Sequence, residues 1–420
     1  MFTFASQSKL SKISFFVYLF FVFFGTSLPF SDRITDVQDI VTSNPVKQFV
    51  FPFLYIFSLL ALFPKREGII EFIKQEKFLT IFLFWTLLSI LWSADPFVSF
   101  IRWFQILGTV IIFLSALLQF SSPDDAIPYF KSILHIYLPI TILSILLVPG
   151  AIQWEFPAWR GIATQKNALG RVGLISLIFW TKLLLTSGER KTIASFFWLS
   201  SCIILIGSKS VTSIFTCCVL AFMAGLWRVE KAILRPFAGR LISSLLVLSF
   251  LLSALLLVYS APGILTDSFE KFGKDTTFTG RVKLWELVLE ETKKHLFWGS
   301  GFEGFWVTNL PYMQEFSSEL YWIPGSAHQG YLEILNETGI VGLCIFLLLL
   351  ISYFRNLVIL GKTHFWKWFV FAALILNITE STLFRLHSPT GVLFTFSYIA
   401  LNVELCQQRE TSGLPLPTLI

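Results

Sequence analysis

The chain has 420 residues, of which 55% are hydrophobic and 14% charged, with a mean hydropathy of +0.72. That balance excludes an ordinary soluble globular protein and specifies a polytopic helical membrane protein. The formal charge of +6 sits mostly in short loops between apolar runs, so it records orientation in a bilayer and excludes a nucleic-acid-binding patch.

The first apolar run, near 13–30, follows Lys9 and Lys12 as a signal sequence would, but GTSLPFSDR after it offers no small-residue cleavage site. It is read as an uncleaved span. Further runs follow near 48–64, 78–93, 97–119, 128–148, 168–186, 193–207 and 211–227, then near 241–260, 329–354, 365–380 and 389–405. Together they predict an all-α integral membrane protein of about twelve transmembrane helices. It forms a single polytopic domain over 1–420, with a large periplasmic loop at 261–327 between helices 9 and 10. Residues 406–420, ending TSGLPLPTLI, read as a disordered cytoplasmic tail.

Orientation follows from the basic loops. Lys65, Arg66, Lys74 and Lys77 follow the second run, Arg190 and Lys191 the sixth, Arg228 to Arg240 the eighth, and Arg355, Lys362 and Lys367 the tenth. All fall on one side, which the positive-inside rule makes cytoplasmic. An even number of spans puts both termini there and the 261–327 loop outside. Cys202, Cys217, Cys218 and Cys344 lie in or beside spans and Cys406 in the tail, so neither a disulfide nor a zinc site is implied.

The outer loops hold the candidate chemistry. AWRGIATQKNALGRVG, between spans five and six, carries Arg160, Lys166 and Arg171 with little acid to balance them. Cations on the side that disfavours them call for an anionic partner. Lys209, in GSKSVTS, and Arg102, early in the fourth span, fit the same pattern; snorkelling to outer head groups is the alternative for both. In the large loop, TGRVKLWELVLEETKKHLFW spaces Val282, Trp285, Val288 or Leu289, and Leu296 on one face, predicting an amphipathic helix against the membrane core. Arg281 stands in its opening turn, where free N–H groups favour an anion. A surface pairing with Glu286 is the alternative.

Gly299, Gly301 and Gly304 fit G-x-G-x-x-G literally. That dinucleotide fingerprint needs a strand before it and a βαβ setting, so tight turns and close backbone approach are the better reading. His328 follows PGSA at the mouth of the tenth span, with Glu333 and Glu337 at i, i+4 beyond it. An imidazole with an ordinary pKa of about 6.5 suits proton transfer at neutral pH, as a base or substrate contact. No second histidine or cysteine stands at ligand spacing, so no metal is expected there. Trp306, Tyr312, Tyr321 and Trp322 are candidates for sugar contact or for interfacial anchoring.

At RGIATQKNALGR (160–171), SKSVTS (208–213), TGRVKLW (279–285), WGSGFEGFW (298–306) and AHQGYLEILNETGIVGL (327–343), the chain resembles the O-antigen ligase and O-antigen polymerase superfamily. Its exopolysaccharide-production branch is the nearest in look, with departures at Gln165 and Gln329. The resemblance implies glycan transfer at the periplasmic face of the bacterial inner membrane from an undecaprenyl-pyrophosphate-linked donor, to lipid A-core or another hydroxyl acceptor, with no cofactor, metal or nucleotide. On that chemistry His328 takes the acceptor proton and Arg281, Arg160 and Lys166 hold the pyrophosphate. Arg171, Lys209, Arg102 and Glu333 complete the expected donor and glycan contacts. A ligase and a polymerase of lipid-linked repeat units need the same parts. A flippase is expected instead to line a cavity at membrane depth with charge.

Overall fold

At the centre of a bilayer each backbone N–H and C=O must be paired within the protein, which makes helices of apolar runs. The computed structural model describes residues 4–25, 49–153, 157–186, 190–233, 276–306, 310–320, 323–361, 364–385 and 388–412. Helices α1 (Phe4–Phe24), α2 (Phe51–Leu62), α3 (Arg66–Gln75), α4 (Lys77–Leu88), α5 (Pro96–Leu117), α6 (Ile127–Leu147) and α7 (Lys166–Leu185) come first. A two-residue hairpin, β1 (Ile152–Gln153) with β2 (Ala158–Trp159), precedes α7. There follow α8 (Lys191–Gly207), α9 (Val211–Ile233), α10 (Thr276–Lys293), α11 (Pro311–Leu320), α12 (Gly330–Leu360), α13 (Lys367–Leu376) and α14 (Pro389–Ser412).

Each sequence-predicted run within the described residues coincides with a helix, and the ninth, near 241–260, lies outside them. Among the described residues six helical segments are long and apolar enough to cross a membrane: Gln7–Phe24, Pro96–Leu117, Pro123–Leu147, Lys166–Leu185, Gly330–Leu360 and Pro389–Glu410. Lys77–Trp92, Lys191–Gly207, Val211–Trp227 and Lys367–Leu376 are shorter apolar helices. The supposed tail is helical further than expected, since α14 runs through Ser412. Its last turns stay attached: Gln407 donates to Phe120 O at 3.2 Å and Arg409 to Gln75 Oε1.

Two ends of the bundle can be told apart. Ser11 near the start of α1 bonds Ser115 near the end of α5 at 2.8 Å, and Glu76 before α4 accepts from Ser352 late in α12 at 2.8 Å. Lys182 pairs with Asp124 at 3.2 Å at that same end. The start of α1 and the end of α14 therefore share the end that carries the basic loops, and His328 lies at the other.

Between apolar helices in lipid, close packing and polar side chains must supply the attraction that water supplies elsewhere. Gly170, Gly173 and Ser176 make such a seam on α7. A Cβ at Gly173 would stand 3.2 Å from the Leu205 backbone, one at Gly170 would stand 2.5 Å from Ser210 Cβ, and Ser176 bonds Ser201 at 2.7 Å. An aromatic core fills the centre, where Phe130 lies 5.0 Å from Phe179 and 5.5 Å from Phe396, and Trp366 lies 4.6 Å from Phe396.

The amphipathic helix α10 departs from its expected place. Leu284, Trp285, Leu287 and Val288 pack into a second, smaller core with Phe305, Trp306, Met313 and Phe316. Its partners are thus α11 and the loop before it, as well as Leu332 of α12, because the apolar face meets aromatic residues of its own insertion first.

Helix α12 is broken. Gly339 has φ 68° and ψ −174°, which no helix contains, and only glycine adopts that conformation cheaply. The break frees backbone groups that the glycine-rich loop takes up. Ser300 N donates to Asn336 O at 2.8 Å, Gly301 N to Glu337 O at 3.0 Å, and Ile340 N to Leu296 O at 2.9 Å. Trp85 Nε1 completes the set with a 2.9 Å bond to Thr338 O. Gly299 and Gly301 have φ of 75° and 98°. At Gly299 a Cβ would lie 2.4 Å from the Glu337 carbonyl, and at Gly304 one would lie 2.0 Å from Ser93 Oγ. Gly299 and Gly301 therefore fasten a discontinuous helix, and Gly304 lets the loop approach the turn before α5.

Candidate active site

Four segments meet at the end of the bundle opposite the basic loops. Asn377 organises one of them: its Oδ1 accepts from Thr382 N at 2.7 Å and Leu383 N at 3.2 Å, curling residues 377–383. Gly330 N donates to Asn377 O at 2.8 Å, and Tyr331 Oη to Leu374 O at 2.7 Å, which docks the first turn of α12 against that curl. The segment 208–213 joins through Thr212, which bonds Thr379 at 3.0 Å. The N-terminus of α7 joins through Gly170, packed on Ser208 and Ser210.

Glu380 is the focus of one charge cluster. Arg171 Nη1 lies 2.8 Å from its Oε2, and Asn167 Nδ2 lies 3.0 Å from its Oε1. Arg281 reaches in from α10, with Nη2 3.5 Å from Glu380 Oε1 and Nη1 donating to Thr379 O at 2.8 Å. Arg281 thus pairs with Glu380 here, where its own helix had offered Glu286. Arg171 and Asn167 share one face of α7 by their i, i+4 spacing.

His328 stands beside this cluster. Burial pushes its pKa below the ordinary histidine value, Arg281 and Arg171 push the same way, and Glu380 and Glu333 oppose them. The neutral imidazole, the form able to accept a proton, is therefore favoured at neutral pH. His328 has φ 50°, and the other described non-glycine residues at positive φ are Lys209 (49°), Glu303 (51°) and Phe384 (56°). Each stands in a loop that meets this site, and such conformations concentrate where a function over-determines the backbone.

A second cluster lies behind the histidine. Arg385 binds Glu303 at 2.9 Å through Nη1, and through Nη2 binds Glu333 at 2.8 Å and Glu337 at 2.6 Å. Burial works against its charge, but Glu303, Glu337 and Glu333 together hold its pKa above the ordinary value. Arg102 adds a 3.4 Å contact to Glu303 Oε2. A small cavity touches Glu333, Glu337, Ser381 and Arg385.

Of the sequence-predicted residues, the structure brings His328, Arg281, Arg171 and Glu333 together. Glu333, expected to contact substrate, meets protein donors on both oxygens. Its Oε2 accepts from Ala327 N at 2.7 Å and Ser381 Oγ at 2.9 Å, and its Oε1 from Arg385 and Trp306 Nε1. Four donors fill a carboxylate. Arg102 joins the Arg385 cluster, Lys166 begins α7, Arg160 donates to Gly150 O within its own loop, and Lys209 is exposed in the turn before α9. Gln329 caps α12 by accepting from Leu332 N, whereas Gln165 precedes α7 without a side-chain cap. Among the described residues no three histidine, cysteine or acidic side chains are grouped to hold a metal ion.

Glu380, Ser381 and Arg385 were not read from the sequence. The available signal was Arg385 in the short outer loop between runs 365–380 and 389–405, the same mismatch with the positive-inside rule that marked Arg160.

Residues 194–347 match the family described as O-antigen ligase. The chain is also similar to the exopolysaccharide production protein ExoQ of Rhizobium meliloti (strain 1021), being 26% identical over 296 residues. That match covers 67% of this chain and 65% of the relative, just under two thirds of the relative's length. The family match includes Arg281, Glu303, His328 and Glu333, whereas Arg171, Glu380 and Arg385 lie outside it. A helical chain whose apolar segments suit a membrane is thus similar over residues 194–347 to the O-antigen ligase family and over a longer stretch to an exopolysaccharide production protein.

Proposed function

We propose that the chain transfers a saccharide from an undecaprenyl-pyrophosphate-linked donor to a hydroxyl of lipid A-core or another acceptor, at the periplasmic face of the inner membrane, without metal. The observation that carries the reading is the convergence of Arg171 and Arg281 on one buried anion, Glu380, beside a histidine held neutral. A saccharide pyrophosphate already has a good leaving group, so the protein needs fixed positive charge for the departing anion and a base for the attacking hydroxyl.

In this mechanism the acceptor hydroxyl gives its proton to His328 as its oxygen bonds the anomeric carbon. The bond from that carbon to the phosphate oxygen breaks on the opposite face, giving inversion. The electron pair leaves with the pyrophosphate, held by Arg281 and Arg171. Lys166 and the uncapped first turn of α7 offer further positive potential to the anion, and Arg160 and Lys209 border the approach. The prenyl chain lies between helices. Glu333 supports the histidine loop and makes no substrate contact. The basic ends of the helices face the cytoplasm with both termini, by the positive-inside rule.

A second reading, polymerisation of lipid-linked repeat units, is favoured by the similarity to an exopolysaccharide production protein. The test uses His328→Ala and Arg281→Ala in a strain lacking the native gene, with protein level and envelope glycan followed together. Loss of product from both at normal protein level is expected; normal product from both would sink the assignment. In the deletion strain, single repeat units on the carrier indicate a polymerase and long carrier-linked chains a ligase.

A further inference from the structure

The backbone N–H groups of the two residues that flank His328 are held by side chains. Ala327 N donates to Glu333 Oε2 at 2.7 Å, and Gln329 N donates to Ser381 Oγ at 3.0 Å. Ser381 Oγ in turn donates to Glu333 Oε2 at 2.9 Å, so that hydroxyl accepts once and donates once and its direction is fixed. Between the two held groups His328 is at φ 50°, a conformation its side chain disfavours. One bond on each side thus brackets a residue in that conformation.

Glu333 is itself fixed from behind. Arg385 binds Oε1, Trp306 Nε1 donates to the same oxygen, and Arg385 is anchored in turn by Glu303 and Glu337. The side chains of Arg385, Glu303, Glu333 and Glu337 are 10%, 7%, 4% and 4% exposed, so solvent competes little for these bonds. A lysine cannot reproduce the arrangement, because only a guanidinium presents several donors in a fixed plane to more than one carboxylate.

We propose that Ser381 and Arg385, acting through Glu333, are positioning residues that hold the His328 backbone in its left-handed conformation and so aim the imidazole at the acceptor hydroxyl. The proposal rests on the reading of His328 as the base. Neither residue grips the donor: Arg171 and Arg281 do that from α7 and α10, through a different carboxylate. Loosening the clamp therefore slows transfer and leaves donor binding alone. Misplacement of a catalytic group by about 1 Å can cost on the order of 100-fold in rate.

The test uses the full chain in membranes that carry accumulated lipid-linked glycan, with inorganic pyrophosphate as a competitive probe of the donor grip. Ser381→Ala and Arg385→Lys are expected to lower kcat by about 10- to 100-fold, with KM and pyrophosphate inhibition within about twofold of the parent. Ser381→Thr, which keeps the hydroxyl, is expected to restore kcat. Parent-like kcat in Ser381→Ala, or a kcat loss that Ser381→Thr fails to rescue, overturns the clamp. Loss of pyrophosphate inhibition along with kcat overturns it too, since that marks general collapse of the site. His328→Ala separates the two readings. If it abolishes transfer while Ser381→Ala does not, only the clamp fails; if it transfers normally, the reading of His328 as base has failed.

Discussion

Arg171 and Glu380 meet at 2.8 Å although 209 residues separate them in sequence. Their contact ties the N-terminal turns of α7 to the loop before α14, and Arg281 closes on the same carboxylate from α10. Glu380 thus stands as a carboxylate between two guanidiniums.

Glu380→Gln is expected to tighten inhibition by inorganic pyrophosphate several-fold, because a fixed carboxylate no longer competes for Arg171 and Arg281. It is also expected to lower stability by about 3–5 kcal/mol, the usual consequence of stripping one partner from a buried ion pair. Inhibition constants in membranes and thermal unfolding in detergent measure the two effects. Weaker pyrophosphate inhibition would mean that Glu380 orients the arginines and does not compete for them.

The pH dependence of transfer follows from His328. Its pKa lies below the ordinary histidine value, so the acid limb of kcat/KM should be centred below the pH of about 6.5 expected of a free histidine. Arg281 is among the groups that lower this pKa and Glu380 among those that raise it. The acid limb should therefore move to lower pH in Glu380→Gln. A limb centred above pH 7 in the parent would contradict the assignment.

Gly339→Ala tests the break in α12. The new Cβ would stand 2.2 Å from Phe297 O at a φ of 68°, and such strain costs about 1–3 kcal/mol before any clash is counted. A lower thermal midpoint in detergent is expected. Gly225→Ala serves as the control, because a Cβ there meets nothing within 4 Å. Equal midpoints for the two variants would argue against the close contact at the break.

Ser176→Ala removes one hydrogen bond across the α7 and α8 seam and should cost about 0.6 kcal/mol, the average for such bonds in membranes. Gly173→Leu should cost more, since its Cβ already stands 3.2 Å from the Leu205 backbone and the helices must separate to admit the rest of the side chain. Unfolding of both variants in mixed micelles would rank them. The reverse order would show that α7 and α8 are held by polarity more than by close approach.

The sequence made the helices legible because a bilayer leaves an apolar run few other conformations. His328, Arg281 and Arg171 were legible for a related reason, as charge or titratable groups placed where lipid and topology discourage them. Glu380 and Arg385 were not. Each is defined by partners far along the chain, Arg171 at 209 residues' distance and Glu333 at 52, and no local pattern encodes those pairings. Glu333 was singled out beside His328, yet its four donors come from 306, 327, 381 and 385. A carboxylate that supports cannot be told from one that binds until those donors are seen. The literal nucleotide fingerprint at 299–304 shows the converse, since glycine spacing records a need for close approach without naming what approaches.

The fastening of α12 also bears on the order in which the protein is made. Leu296 to Gly301 leave the ribosome before Asn336 to Ile340, the groups they bind, and Trp85 is made long before either. When α12 enters the bilayer, the partners for the loose carbonyls before its break and for the N–H after it have already been made. The two half-helices can then insert without an interval in which bare backbone faces hydrocarbon, where each unpaired group would cost several kcal/mol.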